Sequence, residues 1–282
     1  VSEPPHTWGQ LEALSARLTK RDTSGIISQP GVALGESDER IDKAGDIITL
    51  LMLQNGSKMV DPKSYSTQLN TSISRDKGGS PAEDALRFYL KFSDPSSPFY
   101  TWDASQHYSV DAFSYNASAR NKVAMMINYS YRISLLRSKN PDLNFGVAPI
   151  PQPDSATVAD SATVADYWGY TVSKASKDTE LAWDYVRTIT SKERAKEYLL
   201  TTQKPPALRS LITEYRNDAI LSVFANQILI AKSWVQPGHE EVAPVLSTMI
   251  KNVSRGLLST REAVLAAERQ INELFVKIGA RR

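Results

Sequence analysis

Apolar residues recur at helical spacing in the first part of the chain, and capping residues mark where helices begin. Thr7 and Gln10 form a capping box in front of an apolar stripe, which predicts a helix that ends near Lys20. Residues 42–54 are apolar around most of a helical surface, and an Asn-Gly pair at 55–56 follows them. We therefore expect a substantially buried helix that stops at a left-handed residue.

Helix starts are marked in the same way further along the chain. Ser80, Pro81 and Glu83 combine an N-cap, a proline at the first helical position and a capping-box glutamate, which is the clearest helix start in the sequence. After residue 170 nearly the whole chain has helical periodicity. Helices are predicted at residues 178–190, 191–203, about 218–232, 240–256 and 260–278.

Strand patterns are few, and most of them lie between residues 120 and 170. This stretch is interpreted as a buried strand at 122–127, a polar aromatic junction at 128–131, a helix, a second strand at 145–148 and a third strand from Tyr167. An edge strand is also predicted at 32–34. Few strands and many helices favour a lopsided α/β fold in which part of the sheet is missing.

Composition is that of an ordinary globular protein. The 282 residues are 41% apolar and 23% charged, with basic residues exceeding acidic ones by two. Neither sign forms a long block, so neither a nucleic acid nor an anionic membrane is expected as a partner. The chain has no cysteine, which excludes disulfides, thiolate metal sites and a cysteine nucleophile.

The sequence carries no recognisable motif for catalysis or for a cofactor. A Gly-x-Ser-x-Gly elbow, a Gly-rich phosphate loop and a dinucleotide fingerprint are all absent. His6, His107 and His239 are far apart, and the residues after His239 lack the second histidine of a zinc motif. We expect no cofactor and no metal, while a scattered carboxylate pair suited to glycoside hydrolysis stays an open alternative.

Aromatic and amide side chains are concentrated at the ends of the predicted strands. A sugar offers apolar C–H faces and a rim of hydroxyls, so its site needs flat rings beside hydrogen-bonding groups. The side chains with that chemistry are Asn128, Tyr129, Tyr131, Trp168 and Tyr170. Because α/β sheets hold ligands at strand ends, we favour a binding role for the cluster. The alternative is that Tyr131 and Trp168 fill a helix-to-sheet interface.

A second aromatic group lies in the polar segment 93–109. Phe99, Tyr100 and Trp102 stand there among proline, serine and aspartate. Either these rings pack onto the core, or at least one of them lines a ligand surface.

Five segments, in order along the chain, resemble a known protein family. They are PPHTWGQLEALSARLT, NKVAMMIN, NFGVAPIPQP, YWGYTVSKASKDTELAWDYVRTITS and QKPPALRS. Together they run from residue 4 to residue 210. On these segments the chain resembles the extracellular solute-binding proteins of ABC importers, in the branch of maltose-binding protein and its oligosaccharide-binding relatives.

The resemblance implies an α/β fold of the periplasmic-binding-protein type II, with two lobes that close on a ligand by hinge motion. Residues 1–170 and 209–282 would form a discontinuous second, C-terminal lobe. Residues 171–208 would be a crossover strand and a helical remnant of the first lobe. The opening strands and helices of the family have no counterpart before Val1, so an N-terminally truncated chain is expected.

The resemblance also assigns candidate site residues. Tyr131 matches an aromatic residue that stacks on sugar, and Trp168 with Gly169 matches a cleft-facing pair. The family often has glycine at the position of Tyr129 and Gly-Gly at 168–169, which implies a different pocket shape here.

Three further candidates have a less direct basis. Arg209 follows a Pro-Ala turn, where relatives sometimes place a polar residue in contact with the ligand. Trp102 and Trp234 are additional candidate ring platforms, and for each of them a structural role is the alternative.

The aromatic cluster and the resemblance to the family together imply a non-enzymatic substrate-binding component of a bacterial ABC importer. It would bind a sugar or oligosaccharide in an interlobe cleft, by stacking and by hydrogen bonds that include Asn128, and its protein partners would be the permease membrane subunits. We expect a monomer outside the cytoplasm, either periplasmic or lipid-anchored at the outer face of the cell membrane. The alternatives are a sensory or surface glycan-binding protein of the same fold and, from another class, a glycoside-processing enzyme.

Overall fold

The chain forms two units that are discontinuous in sequence. The computed structural model describes residues 3–71, 80–115, 122–158, 160–215 and 217–279. Residues 120 and 121, where the 120–170 stretch begins, lie outside these ranges. Unit 1 consists of residues 1–128, 150–164 and 232–282, and unit 2 consists of residues 129–149 and 165–231.

Helices account for most of the regular structure in the described ranges. They are α1 (Trp8–Leu18), α2 (Ala44–Gln54), α3 (Pro81–Leu90), α4 (Ser109–Phe113), α5 (Arg132–Lys139), α6 (Thr179–Ile189), α7 (Lys192–Thr202), α8 (Arg209–Ile212), α9 (Leu221–Gln227), α10 (His239–Ser254) and α11 (Thr260–Gly279). Short 3-10 turns follow α8 and α9, at Thr213–Tyr215 and Ile228–Ile230. Within the described ranges, no helix combines the length and the apolar character needed to cross a membrane.

The strands are short and occur in pairs. They are β1 (Lys20–Arg21), β2 (Ile27–Gln29), β3 (Lys58–Asp61), β4 (Ser66–Gln68), β5 (Thr163–Val164) and β6 (Ala231–Lys232). β1 pairs with β2 and β3 pairs with β4, both antiparallel, and β5 pairs with β6.

The core of unit 1 is built around α2, which packs against α3 and α10, while α11 packs against α10 and α3. Eight of the eleven residues of α2 are buried, as its all-round apolar pattern predicts. The largest fully buried side chains of this core are Trp102, Tyr89 and Phe92. Unit 1 therefore has a continuous apolar centre of the kind that stabilises a domain.

Capping residues set the helix boundaries in unit 1 as predicted. Thr7 Oγ1 accepts a hydrogen bond from Gln10 N at 3.3 Å, and Gln10 Oε1 accepts one from His6 N at 2.8 Å. Ser80 Oγ accepts from Glu83 N at 3.2 Å at the start of α3. These bonds satisfy backbone N–H groups that the first helical turn leaves without partners.

Gln54, at the end of α2, joins three parts of unit 1. Its Oε1 accepts a hydrogen bond from Trp8 Nε1 at 2.6 Å, which ties α2 to α1. Its Nε2 donates to the carbonyl oxygens of Pro151 at 3.0 Å and Ala162 at 2.9 Å. The segment 150–164, which returns from unit 2, is thereby held to the core of unit 1.

Unit 2 buries far fewer apolar side chains. Its cluster of buried residues consists of Leu199, Leu211, Ile212, Tyr215 and Ala225. α6 is amphipathic in sequence, yet it has no buried residue. Both helices nevertheless begin where they were predicted, and Asp178 and Ser191 cap them by accepting hydrogen bonds from the first turns of α6 and α7.

Three strands predicted in the 120–170 stretch are not formed. Residues 122–127 make one parallel bridge, between Met125 and Val32, and residues 145–148 and 167–170 are irregular. Residues 32–34 are fully buried, and apart from that bridge they do not form the predicted edge strand. A strand needs a neighbour that takes up its backbone hydrogen bonds, and an apolar pattern alone does not supply one.

The unit boundaries also differ from the predicted lobe boundaries at residues 170 and 209. Unit 2 includes 129–149, 165–170 and 209–231, all of which the prediction placed in the second lobe. That prediction was based on the resemblance of five segments to the family, whereas the units follow from the contacts within this structure. The lobe of the family to which each unit corresponds stays a prediction.

Candidate functional site

The aromatic junction at 128–131 leads directly into α5. Tyr131 is the residue before the helix, and Arg132 N donates to the carbonyl oxygen of Tyr129 at 3.1 Å. The two tyrosine rings stack with their centroids 5.5 Å apart and their planes 12° from parallel. Such a pair stabilises its own arrangement by about 0.5–1.5 kcal/mol. The structure thus brings together two predicted site residues, Tyr129 and Tyr131, as one partly exposed aromatic surface.

Arg132 adds a cation to this pair. Its guanidinium carbon lies 5.4 Å from the centroid of the Tyr131 ring. Arg132 was not among the predicted site residues, although a cation directly after Tyr-Ser-Tyr in the sequence was the signal that could have identified it.

The Asn128 side chain forms a hydrogen bond within unit 1. Its Nδ2 donates to Asp42 Oδ2 at 3.0 Å, and Tyr108 Oη donates to Asp42 Oδ1 at 2.8 Å. Asp42 is 4% exposed, and its backbone N donates to Ser109 Oγ at 2.9 Å. The Asn128 amide therefore supports a buried carboxylate, which needs such donors to remain in the core.

Trp168 lies on the surface of unit 2. The residue is 91% exposed, and its neighbours Tyr167 and Tyr170 are 72% and 65% exposed. A methyl group added at Gly169 would meet no atom within 4 Å. In the part of the chain that the structure describes, the Trp168 ring makes no aromatic contact, so it does not fill an interface within unit 2.

The three less direct candidates differ from one another in exposure. Trp102 is 0% exposed and belongs to the core of unit 1, so its ring cannot serve as a ligand platform in this structure. The polar segment around Trp102 in the sequence did not decide between a buried and an exposed ring, because burial depends on residues distant in the chain. Arg209 is the first residue of α8 and is exposed. Trp234 is partly buried against the core of unit 1.

Two carboxyl groups in unit 1 have perturbed acidity. Burial raises the pKa of Asp38, and the backbone N–H groups of Gly45 and Ala44 at the start of α2 offset part of this effect. Burial also raises the pKa of Glu36. Burial is the main cause of both raised pKa values, which gives both groups a structural explanation. Across the described ranges, no group of three or more His, Asp or Glu side chains has the arrangement of a metal site.

Comparison with sequence families gives one match. A family profile described as bacterial extracellular solute-binding protein matches residues 2–221. A search of curated protein sequences gave no match.

Comparison with solved structures gives many similar folds. The maltose/maltodextrin-binding domain MalE from Bdellovibrio bacteriovorus, bound to maltotriose, has a TM-score of 0.70 at 18% identity, covering 98% of this chain and 68% of its own. An ABC transporter solute-binding protein from Thermotoga lettingae, bound with α-D-tagatose, has a TM-score of 0.69 at 20% identity, covering 96% and 65%. A cyclo/maltodextrin-binding protein complexed with maltotetraose has a TM-score of 0.73 at 18% identity, covering 97% and 65%.

These likenesses concern the fold. They confirm the predicted α/β class of the periplasmic-binding-protein type II. The chain spans about two thirds of the length of these proteins, between 65% and 68%.

Proposed function

This chain belongs to the bacterial extracellular solute-binding protein family, and from that premise we propose that it is the substrate-binding component of an ABC importer for a sugar or oligosaccharide. Family membership places its site of action outside the cytoplasm. Three structures of similar fold contain maltotriose, α-D-tagatose and maltotetraose, which supports a sugar as the ligand class. Permease membrane subunits would be the protein partners, and the protein would act either in the periplasm or, held by a lipid anchor, at the outer face of the cell membrane.

The stack of Tyr129 and Tyr131 beside Arg132 carries the proposal. Two parallel rings offer flat apolar surface to the C–H face of a sugar, and the guanidinium offers planar hydrogen-bond donors to its hydroxyls. Trp168 provides a further exposed ring in the same unit, and Gly169 leaves the backbone beside it open. Aromatic rings with few polar groups are the usual composition of a small-molecule site.

Calorimetric titration with maltotriose, maltotetraose and tagatose tests this proposal. We expect heat of binding with at least one of these sugars, and binding about 3- to 10-fold weaker in Tyr131→Ala and in Trp168→Ala, the loss of one stacked ring. Tyr198→Ala is the matched control, because Tyr198 is also an exposed tyrosine of unit 2 and its removal should leave affinity unchanged. The absence of heat with all three sugars, or equal losses in all three variants, would count against the proposal.

We also propose that the protein has no enzymatic activity. The raised pKa values of Asp38 and Glu36 are accounted for by their burial, so they do not require a catalytic explanation. Incubation with chromogenic glycosides should release no product above a buffer control. Product that accumulates in proportion to protein concentration would instead support the glycoside-processing alternative.

A further inference from the structure

Unit 2 contains a small cavity that is separate from the tyrosine pair. Its volume is about 240 Å³, and its lining comes from the last turn of α5, the residue after α7 and the turn that enters α9. The lining residues are Arg137, Gln203, Asp218, Ala219, Ile220 and Leu221. A space of this size suits a small metabolite and not an oligosaccharide.

Two opposite charges line this cavity without contacting each other. In the described parts of the chain, neither Arg137 nor Asp218 takes part in an ion pair. Asp218 is held in place because its Oδ1 accepts from Ile220 N at 2.8 Å and from Leu221 N at 2.7 Å. A ligand that carries both an anionic and a cationic group would satisfy the two side chains at once.

Gln203 supplies a third polar group, and its side chain indicates that a ligand here would carry a hydrogen-bond donor. It follows α7 in the left-handed conformation, with φ of 55° and ψ of 25°, a region that residues other than glycine enter rarely. Its Oε1 is buried and accepts no hydrogen bond from a described residue. A buried acceptor without a donor is costly, so a donor group brought by a ligand would be favourable here.

We propose that this cavity binds a free α-amino acid with an apolar side chain. Its carboxylate would contact the Arg137 guanidinium, and its ammonium group would donate to Asp218 and to Gln203 Oε1. The apolar side chain would lie against Ile220 and Leu221. A neutral sugar offers no charge to either Arg137 or Asp218, so this site differs in ligand class from the tyrosine pair and does not depend on the sugar-binding proposal.

Titration of the full chain with L-leucine, followed by NMR and calorimetry, tests the site. Binding is expected at millimolar leucine or below. It should be lost with leucinamide, which lacks the carboxylate, and with 4-methylpentanoate, which lacks the ammonium group. Maltotriose should not compete. If neither method detects leucine, or if either analogue binds as well as leucine, the proposal is wrong.

Variants connect the binding to the named residues. Arg137→Gln and Asp218→Asn should each weaken leucine binding about tenfold or more, since each removes one charge-assisted contact. Gln203→Gly should weaken binding. It should also stabilise the fold, because glycine adopts a positive φ at a lower steric cost than glutamine does. A loss of binding in this variant therefore cannot be attributed to unfolding. Arg194→Gln, at another exposed arginine of unit 2, is the control and should bind as the unchanged chain does. Equal affinity in Arg137→Gln, Gln203→Gly and the control would overturn the assignment.

Discussion

Units 1 and 2 differ in how far the apolar residues of their helices are buried. In unit 1, α2 buries eight of its eleven residues against neighbouring helices. In unit 2, α6 buries none, and Leu181 and Tyr185 on its surface are 66% and 65% exposed. An apolar pattern therefore contributes to stability only where other elements cover it. We therefore expect unit 1 to be the more stable of the two, while the rings and charges proposed to bind ligands lie in unit 2.

The largest expected effect is at Gly31 in unit 1. A Cβ at this position would lie 2.1 Å from the carbonyl oxygen of Ser15, and backbone cannot rotate away as a side chain can. Gly31→Ala should therefore prevent folding or cost more than about 4 kcal/mol of unfolding free energy, a range reserved for severe defects. Gly146→Ala in unit 2 is the matched control, because its Cβ would meet nothing within 4 Å. Similar denaturation midpoints for the two variants would contradict the packing of unit 1.

A pair of leucine truncations gives the next largest effect. Leu86 in α3 is 0% exposed within the unit 1 core, so Leu86→Ala should lower the unfolding free energy by about 2–5 kcal/mol. Leu181→Ala in α6 removes the same atoms from a side chain that is 66% exposed, and should change stability by no more than about 0.5 kcal/mol. Urea denaturation of both variants checks the contrast. A large loss in Leu181→Ala would mean that the exposed face of α6 is covered in solution.

A smaller effect is expected in the pH dependence of stability, which has opposite signs for carboxyl groups in the two units. In unit 1, burial raises the pKa of Asp38 and Glu36. Between the ordinary and the raised pKa, the folded state therefore holds protons that the unfolded state has released. Their contribution to stability is therefore present below the ordinary carboxyl pKa and is lost as pH rises through the raised pKa. In unit 2, Lys196 and Lys192 hold the pKa of Glu214 below its usual value, and that contribution is lost as pH falls through the lowered pKa.

Carboxyl-carbon NMR titration checks these directions residue by residue. Asp38 and Glu36 should titrate above the usual range of their residue types, and Glu214 below it. In Asp38→Asn, the fall in stability with rising pH should be smaller than in the unchanged chain. If Asp38 titrates at or below the usual range, the account of its burial beside α2 is wrong.

Features that depend on neighbouring residues could be predicted from the sequence. The caps at Thr7 and Ser80 were predicted because each accepts a hydrogen bond from an N–H group three residues ahead. The fold class was predicted from five segments that resemble the family, and the similar solved structures confirm it.

Features that depend on distant residues could not be predicted. Trp102 and Trp168 both stand among polar residues in the sequence, yet one is 0% and the other 91% exposed. Only packing against α-helices far along the chain decides between these outcomes. The strand expected at 145–148 failed for the same reason, since its pattern was correct but its pairing depends on another segment. The cavity at Arg137, Gln203 and Asp218 brings together residues from three separate parts of the sequence.

The indole N–H signals of the five tryptophans provide the most direct test of the account. The claim is that unit 2 offers a stacking surface for sugar while unit 1 serves as a scaffold. On addition of maltotriose, or of whichever sugar gives heat in calorimetry, the signal of Trp168 should shift, and the signals of Trp8 and Trp102 should stay in place. Saturation by a bound sugar that leaves Trp168 unmoved, or that shifts only Trp8 and Trp102, would contradict the claim.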